Sequence, residues 1–193
     1  MNRRKMLILA ACLVFGGLLM PVTAKADVQE KKTTLTTKVP IKIPSANVVL
    51  PPGKYVIKLL EAAGSRNIVQ VFNEAENKLY TTALAIPNYR LTPSDKTIFT
   101  FWETPSNEPI ALRSWFYPGD TYGVEFAYSR KAANEIARQS KHTVPTVYSD
   151  SQKPSELKTA RIGSTTSEGK EAELSKDEYS VPKEVEKKES EKK

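Results

Sequence analysis

Nine of the chain's sixteen aromatic side chains fall between Thr97 and Tyr128, and Tyr89 just upstream makes ten. Within this stretch, Ile98-Phe99-Thr100-Phe101-Trp102 carries large side chains at odd and even positions alike. Successive strand residues point to opposite faces, so such a run suits a strand covered on both sides. Pro105-Ser106-Asn107-Glu108-Pro109 breaks it, because each proline removes a ladder donor and fixes φ. Ile110 to Tyr117 resumes with β-formers, and Pro118-Gly119-Asp120 is a second turn. After Gly123 the alternation is clean: Val124, Phe126 and Tyr128 on one face, Glu125 and Ala127 on the other. The segment predicts a three-stranded antiparallel meander.

The residues before it repeat the same grammar. Thr33 to Ile43 is rich in Thr, Val and Ile, and Pro40 and Pro44 push it towards a sheet edge or a bulge. Tyr55 to Leu60, Ile68 to Phe72 and Leu79 to Ile86 follow as strands, separated by Ala62–Asn67 and the polar loop Asn73–Lys78. About seven short strands with turn signals between them predict a mainly β fold, a small antiparallel sandwich or barrel. After Tyr128 the period changes. Ser129 suits an N-cap, and Ala132, Ala133, Ile136 and Ala137 recur at helical spacing, predicting a helix over Arg130–Gln139 packed on an end or face of the sheet. The β-domain with its terminal helix is expected to span residues 27–145.

From Thr146 the composition shifts. Residues 150–193 hold ten basic and eleven acidic side chains, no Phe or Trp, and only Tyr179 among the aromatics. So little apolar surface does not offset the entropy of ordering a chain, so 146–193 is expected to be a disordered, charge-balanced tail. Leu157, Ala160 and Ile162 are its weak point as a tail, able to dock as an edge strand or a short turn.

The N-terminus reads as an export signal: Arg3-Arg4-Lys5, an apolar Met6–Met20, then Ala24-Lys25-Ala26, with the cut expected after Ala26. The apolar segment is short of the roughly 20 residues that cross a bilayer, and no later stretch is apolar enough to span. Leu9-Ala10-Ala11-Cys12 offers a lipid-anchored alternative through Cys12, although the apolar run continues well past the cysteine. Arg3-Arg4 offers a twin-arginine one. Residues 1–26 carry four of the 29 cations and no acid, which leaves 25 basic against 22 acidic side chains. That near-balance argues against nucleic acid as a partner. With Cys12 the sole cysteine, the remaining chain has no thiol for a disulfide, a nucleophile or a metal.

His142 is the sole histidine and falls just past the predicted helix, where a solvated role is expected. No Gly-x-Ser-x-Gly elbow and no Gly-rich phosphate loop occur. Catalytic zinc sites draw two or three histidines, so neither a metal nor a cofactor is expected. Glu103 and Glu125 sit in different strands of the meander with Arg113 between them in sequence. Cross-strand charge pairing accounts for that cluster, and a glycosidase-like carboxylate pair is the sharper alternative. Most of the aromatics are expected in the core. Tyr117 and Tyr122 flank the Pro118–Asp120 turn and are expected to be partly exposed, so Trp115, Tyr117, Asp120 and Tyr122 form the candidate ligand-binding set.

Leu84–Arg90, Thr100–Pro105, Ala111–Gly119 and Glu125–Tyr128 leading into the alanine-containing helix together resemble a family of exported bacterial proteins of unknown function. The likeness covers roughly residues 40–140 and implies export and a single small domain, with no catalytic residue to carry over. The expectation is therefore an exported, non-enzymatic binding or structural domain of the bacterial cell envelope, periplasmic or extracellular, with an envelope component or a glycan as partner. A carbohydrate- or peptidoglycan-binding module using the aromatics near Pro118–Asp120 is the second reading, and a carboxylate-based glycosidase the third.

Overall fold

The structure, a computed structural model, describes residues 31–44, 48–63 and 66–174. The export segment, the cut after Ala26, Cys12 and the tail beyond 174 lie outside the described residues.

Nine strands make one large sheet: β1 (Lys32–Thr37), β2 (Ile41–Lys42), β3 (Val49–Leu50), β4 (Gly53–Ala63), β5 (Arg66–Asn73), β6 (Leu79–Tyr89), β7 (Ile98–Trp102), β8 (Ile110–Phe116) and β9 (Tyr122–Phe126). Their order is β1-β4-β5-β6-β9-β8, with β2 and β3 continuing from the start of β8 and β7 on its other edge. β7, β8 and β9 form the antiparallel meander the aromatic stretch predicts. The segment expected as one first strand is two. Pro40 has no N–H to donate, and the Thr37 hydroxyl turns the chain by bonding the carbonyl and the N–H of Val39, at 2.6 and 3.1 Å.

The sheet curls until its two ends meet. The hydroxyl of Thr33 on β1 lies 3.0 Å from that of Thr97, which leads into β7. Alternate residues of every long strand then share one interior: Leu35, Tyr55, Ile57, Val69, Val71, Ala83, Ala85, Trp115, Val124 and Phe126 are all buried in one cluster. The result is a nearly closed barrel.

One end is plugged. The chain leaves β9 through Tyr128 into helix α1 (Arg130–Ser140), which seats Ala132, Ala133, Ile136 and Ala137 in the same cluster. The Tyr128 hydroxyl reaches the carbonyls of Leu112 (2.7 Å) and Lys42 (3.2 Å), fastening this end to β8 and β2. Ser129 takes the N-cap position, with extended backbone but no side-chain capping bond.

The segment expected as tail folds as far as residue 174. A second, four-stranded sheet joins β10 (Tyr128–Ser129), β11 (Val144–Val147), β12 (Ile162–Thr165) and β13 (Glu171–Glu173), with a short helix α2 (Pro154–Thr159) between β11 and β12. Composition averaged over 44 residues hides where the apolar ones sit. Leu157, Ala160 and Ile162 all land on the outer face of β5 and β6, where they bury Ile68, Leu84 and Ile86 together with Ala127 and Val147. The Arg66 guanidinium donates to the Ala160 carbonyl across this seam. Glycine is demanded at position 163, where a Cβ would stand 2.5 Å from the Ala172 carbonyl oxygen and 2.7 Å from the Tyr148 ring. Residues 146–174 therefore belong to the folded part, which is longer than expected by two strands and a helix.

Candidate functional site

The register gathers the candidate residues at the end of the barrel opposite α1. Tyr89 and Tyr122 face each other as paired residues of β6 and β9, their rings edge-on at 5.7 Å. The β8–β9 turn hangs beside them, and Gly119 adopts φ +73 there, a backbone that glycine takes without strain. Two bonds moor the turn to the preceding loop: Gly119 N–H donates to the Ser94 carbonyl at 2.7 Å, and Arg90 N–H to that of Thr121 at 2.8 Å. Asp120 Oδ1 accepts from the Tyr122 N–H at 2.9 Å, closing an Asx turn. The Tyr122 hydroxyl donates to Asn67 Oδ1 at 3.1 Å, so an amide from the start of β5 completes the wall.

Two of the four expected binding residues belong to the core. Trp115 is fully buried, stacked on Phe99 at 6.2 Å and edge-on to Tyr117 at 4.6 Å. Tyr117, expected to be partly exposed, is only 7% accessible. Tyr117 stands two positions past Trp115, on the same face of the chain, and packs with it into the core; beside it, the last β8–β9 pair sets Gly123 against Phe116, where a Cβ would meet that ring at 2.4 Å and the Trp115 carbonyl at 2.5 Å. Burial, then the neighbouring Tyr122 and Asp120, push the Tyr117 hydroxyl well above the ordinary tyrosine range. Asp120 and Tyr122 are half-buried and line the opening.

Lys31, just ahead of β1, enters this mouth. Its ammonium lies 4.2 Å from the Tyr117 ring centroid, 5.2 Å from that of Tyr122 and 3.7 Å from Asp120 Oδ2. Sequence gave no hint of this contact, because the partners lie more than 80 positions away and nothing local announces them.

The charge cluster divides. Arg113 Nε donates to Glu125 Oε1 at 3.0 Å, and the Asn88 amide to Oε2 at 3.0 Å. A β-bulge between Thr100 and Phe101 drops Arg113 out of the β7–β8 register. Its guanidinium sits 4.3 Å from the Trp102 ring centroid. Glu103 is exposed just past β7, and among the described residues no hydrogen bond or ion pair links it to Arg113 or Glu125. His142 is exposed, 6.2 Å from the Trp102 ring. The described residues hold no group of three His, Cys, Asp or Glu placed for a metal, and no helix long and apolar enough to cross a membrane. A cleft between Leu84, Ala127, Leu157 and Ser149–Gln152 measures about 20 Å³, room for one or two waters.

Burial raises Glu125 above the usual carboxylate range, and the Arg113 charge and hydrogen bond only partly oppose it. A raised carboxyl binds its proton more tightly when folded, so its contribution to stability is complete below the unfolded value near 4.3 and fades as pH rises through the folded value. Glu76, Glu156 and Glu171 are lowered by cationic partners and act in the opposite direction, so the comparison must be between two proteins. Glu125→Gln is expected to gain on the wild type as pH rises from 4 to 7, read from urea midpoints. Parallel curves would show that burial does not dominate at this carboxyl.

A scan against protein-family models, a search of curated proteins and a search of solved structures each returned no match.

Proposed function

We propose that this chain is an exported, non-enzymatic binding domain of the bacterial cell envelope, of the kind its resemblance suggests, and that it engages its partner at the barrel mouth. The observation carrying this reading is the assembly of Tyr117, Tyr122 and Asp120 around an ammonium, on walls held by Asn67, Ser94 and Trp115. Sites of this kind are rigid, aromatic and concave, with a few polar groups that fix orientation. The half-buried Glu125 is held by Arg113 and the Asn88 amide, which supports cross-strand charge pairing as the role of that cluster. A sugar-stacking platform needs exposed ring faces, and Trp115 offers none.

The test is an envelope pull-down with wild type, Asp120→Asn and Tyr122→Ala as baits, each checked for an unchanged fold by thermal melting. A component held by the wild type and shed by both variants is the expected result. Retention of the same components by all three baits removes the mouth as the binding surface.

A further inference from the structure

The mouth is already occupied by a chemical group that names what it recognises. Two ring faces within about 6 Å of an ammonium, with a carboxylate beside it, form the arrangement that binds alkylammonium cations in water. Lys31 supplies the cation here, at 4.2 and 5.2 Å from the Tyr117 and Tyr122 centroids and 3.7 Å from Asp120. Its side chain is still 35% accessible, so the group has a way out to solvent.

The walls do not depend on that lysine. Tyr122 is held by Asn67 and Tyr89, Tyr117 by Trp115, and Asp120 by the Tyr122 N–H. Lys31 itself is anchored through its backbone, its carbonyl accepting from the Leu59 N–H at 2.9 Å. Withdrawal of the side chain therefore leaves β1 paired and the cage standing.

From this geometry we infer that the Tyr117–Tyr122–Asp120 cage is a binding site for a primary alkylammonium group, such as a lysyl side chain of a partner, with Lys31 as its in-chain occupant at rest. The inference rests on the mouth being the binding surface. An incoming amine competes with Lys31, whose tether gives it an effective concentration in the millimolar range. Only a partner that brings further contacts displaces it in the intact protein.

The probe is n-butylammonium, which reproduces the lysine stem, titrated against full-length protein and followed by amide NMR shifts. Lys31→Ala is expected to bind it saturably in the millimolar range, with wild type at least about fivefold weaker through competition. Adding Asp120→Asn to Lys31→Ala should weaken binding about fivefold, and n-butanol should produce no saturable shift. No saturation in Lys31→Ala, or equal binding of n-butanol, overturns the inference. Acetylation footprinting gives a readout without any substitution: in wild type the Lys31 amine should react more slowly than that of Lys54, whose exposed side chain pairs with Glu74. Equal reactivity counts against the cage. If butylammonium fails while pull-down still depends on Asp120 and Tyr122, the ligand class is wrong and the mouth stands. If butylammonium binds and no partner depends on the mouth, the reverse holds.

Discussion

Cutting the chain after Asp150 lowers the unfolding free energy by about 4 kcal/mol or more, judged from two large aliphatic side chains lost at roughly 2 kcal/mol or more each. Those side chains are Leu157 and Ile162, each 2% accessible on the outer face of β5 and β6. The cut also strips β12 from β11, along with the 2.7 Å contact between the buried hydroxyls of Thr146 and Thr165. Since a small domain's whole stability is about 5–15 kcal/mol, such a truncation brings the protein close to unfolding at room temperature. Urea denaturation of the full and cut proteins checks this. A midpoint shift equivalent to less than about 0.5 kcal/mol, the range of surface changes, would mean that the second sheet adds nothing to the first.

Trp115→Ala is the second large effect, about 3–5 kcal/mol, the cost of emptying a fully buried indole site. The ring packs between Phe99 and Tyr117, opposite Val124 in the β8–β9 ladder, and no part of it reaches solvent. Acrylamide should barely quench its fluorescence in a Trp102→Phe background. Ready quenching, with an Ala substitution costing under about 0.5 kcal/mol, would return Trp115 to the surface and reopen the stacking platform.

Much of the barrel was legible in the sequence because its signals are local. β7 runs from Ile98 to Trp102, as the aromatic run predicts, and α1 starts at Arg130 where the period changes. What escaped were features set by distant partners. The apolar residues of 157–162 are too sparse to announce themselves, and become core only because β5 and β6 present Ile68, Leu84 and Ile86 opposite them. Tyr117 follows the last residue of β8, where exposure is the natural expectation, yet it packs against Trp115 in the core and Lys31 lies over its ring. Arg113 is re-aimed by a bulge that no residue type flags. At the site itself, Asp120 and Tyr122 were readable from a Pro-Gly-Asp turn flanked by aromatics, whereas Lys31 and Asn67 join them only through the closure of the sheet.

Photo-crosslinking in living cells, with a benzophenone amino acid placed at one of two exposed positions, reads which end of the barrel meets the partner. Pro118 lies on the rim of the mouth, and Glu103 sits just past β7, towards the end of the barrel that α1 closes. A discrete envelope adduct is expected from the Pro118 position, abolished by Asp120→Asn, and none from the Glu103 position. An adduct from the Glu103 position with none from Pro118 would contradict binding at the mouth.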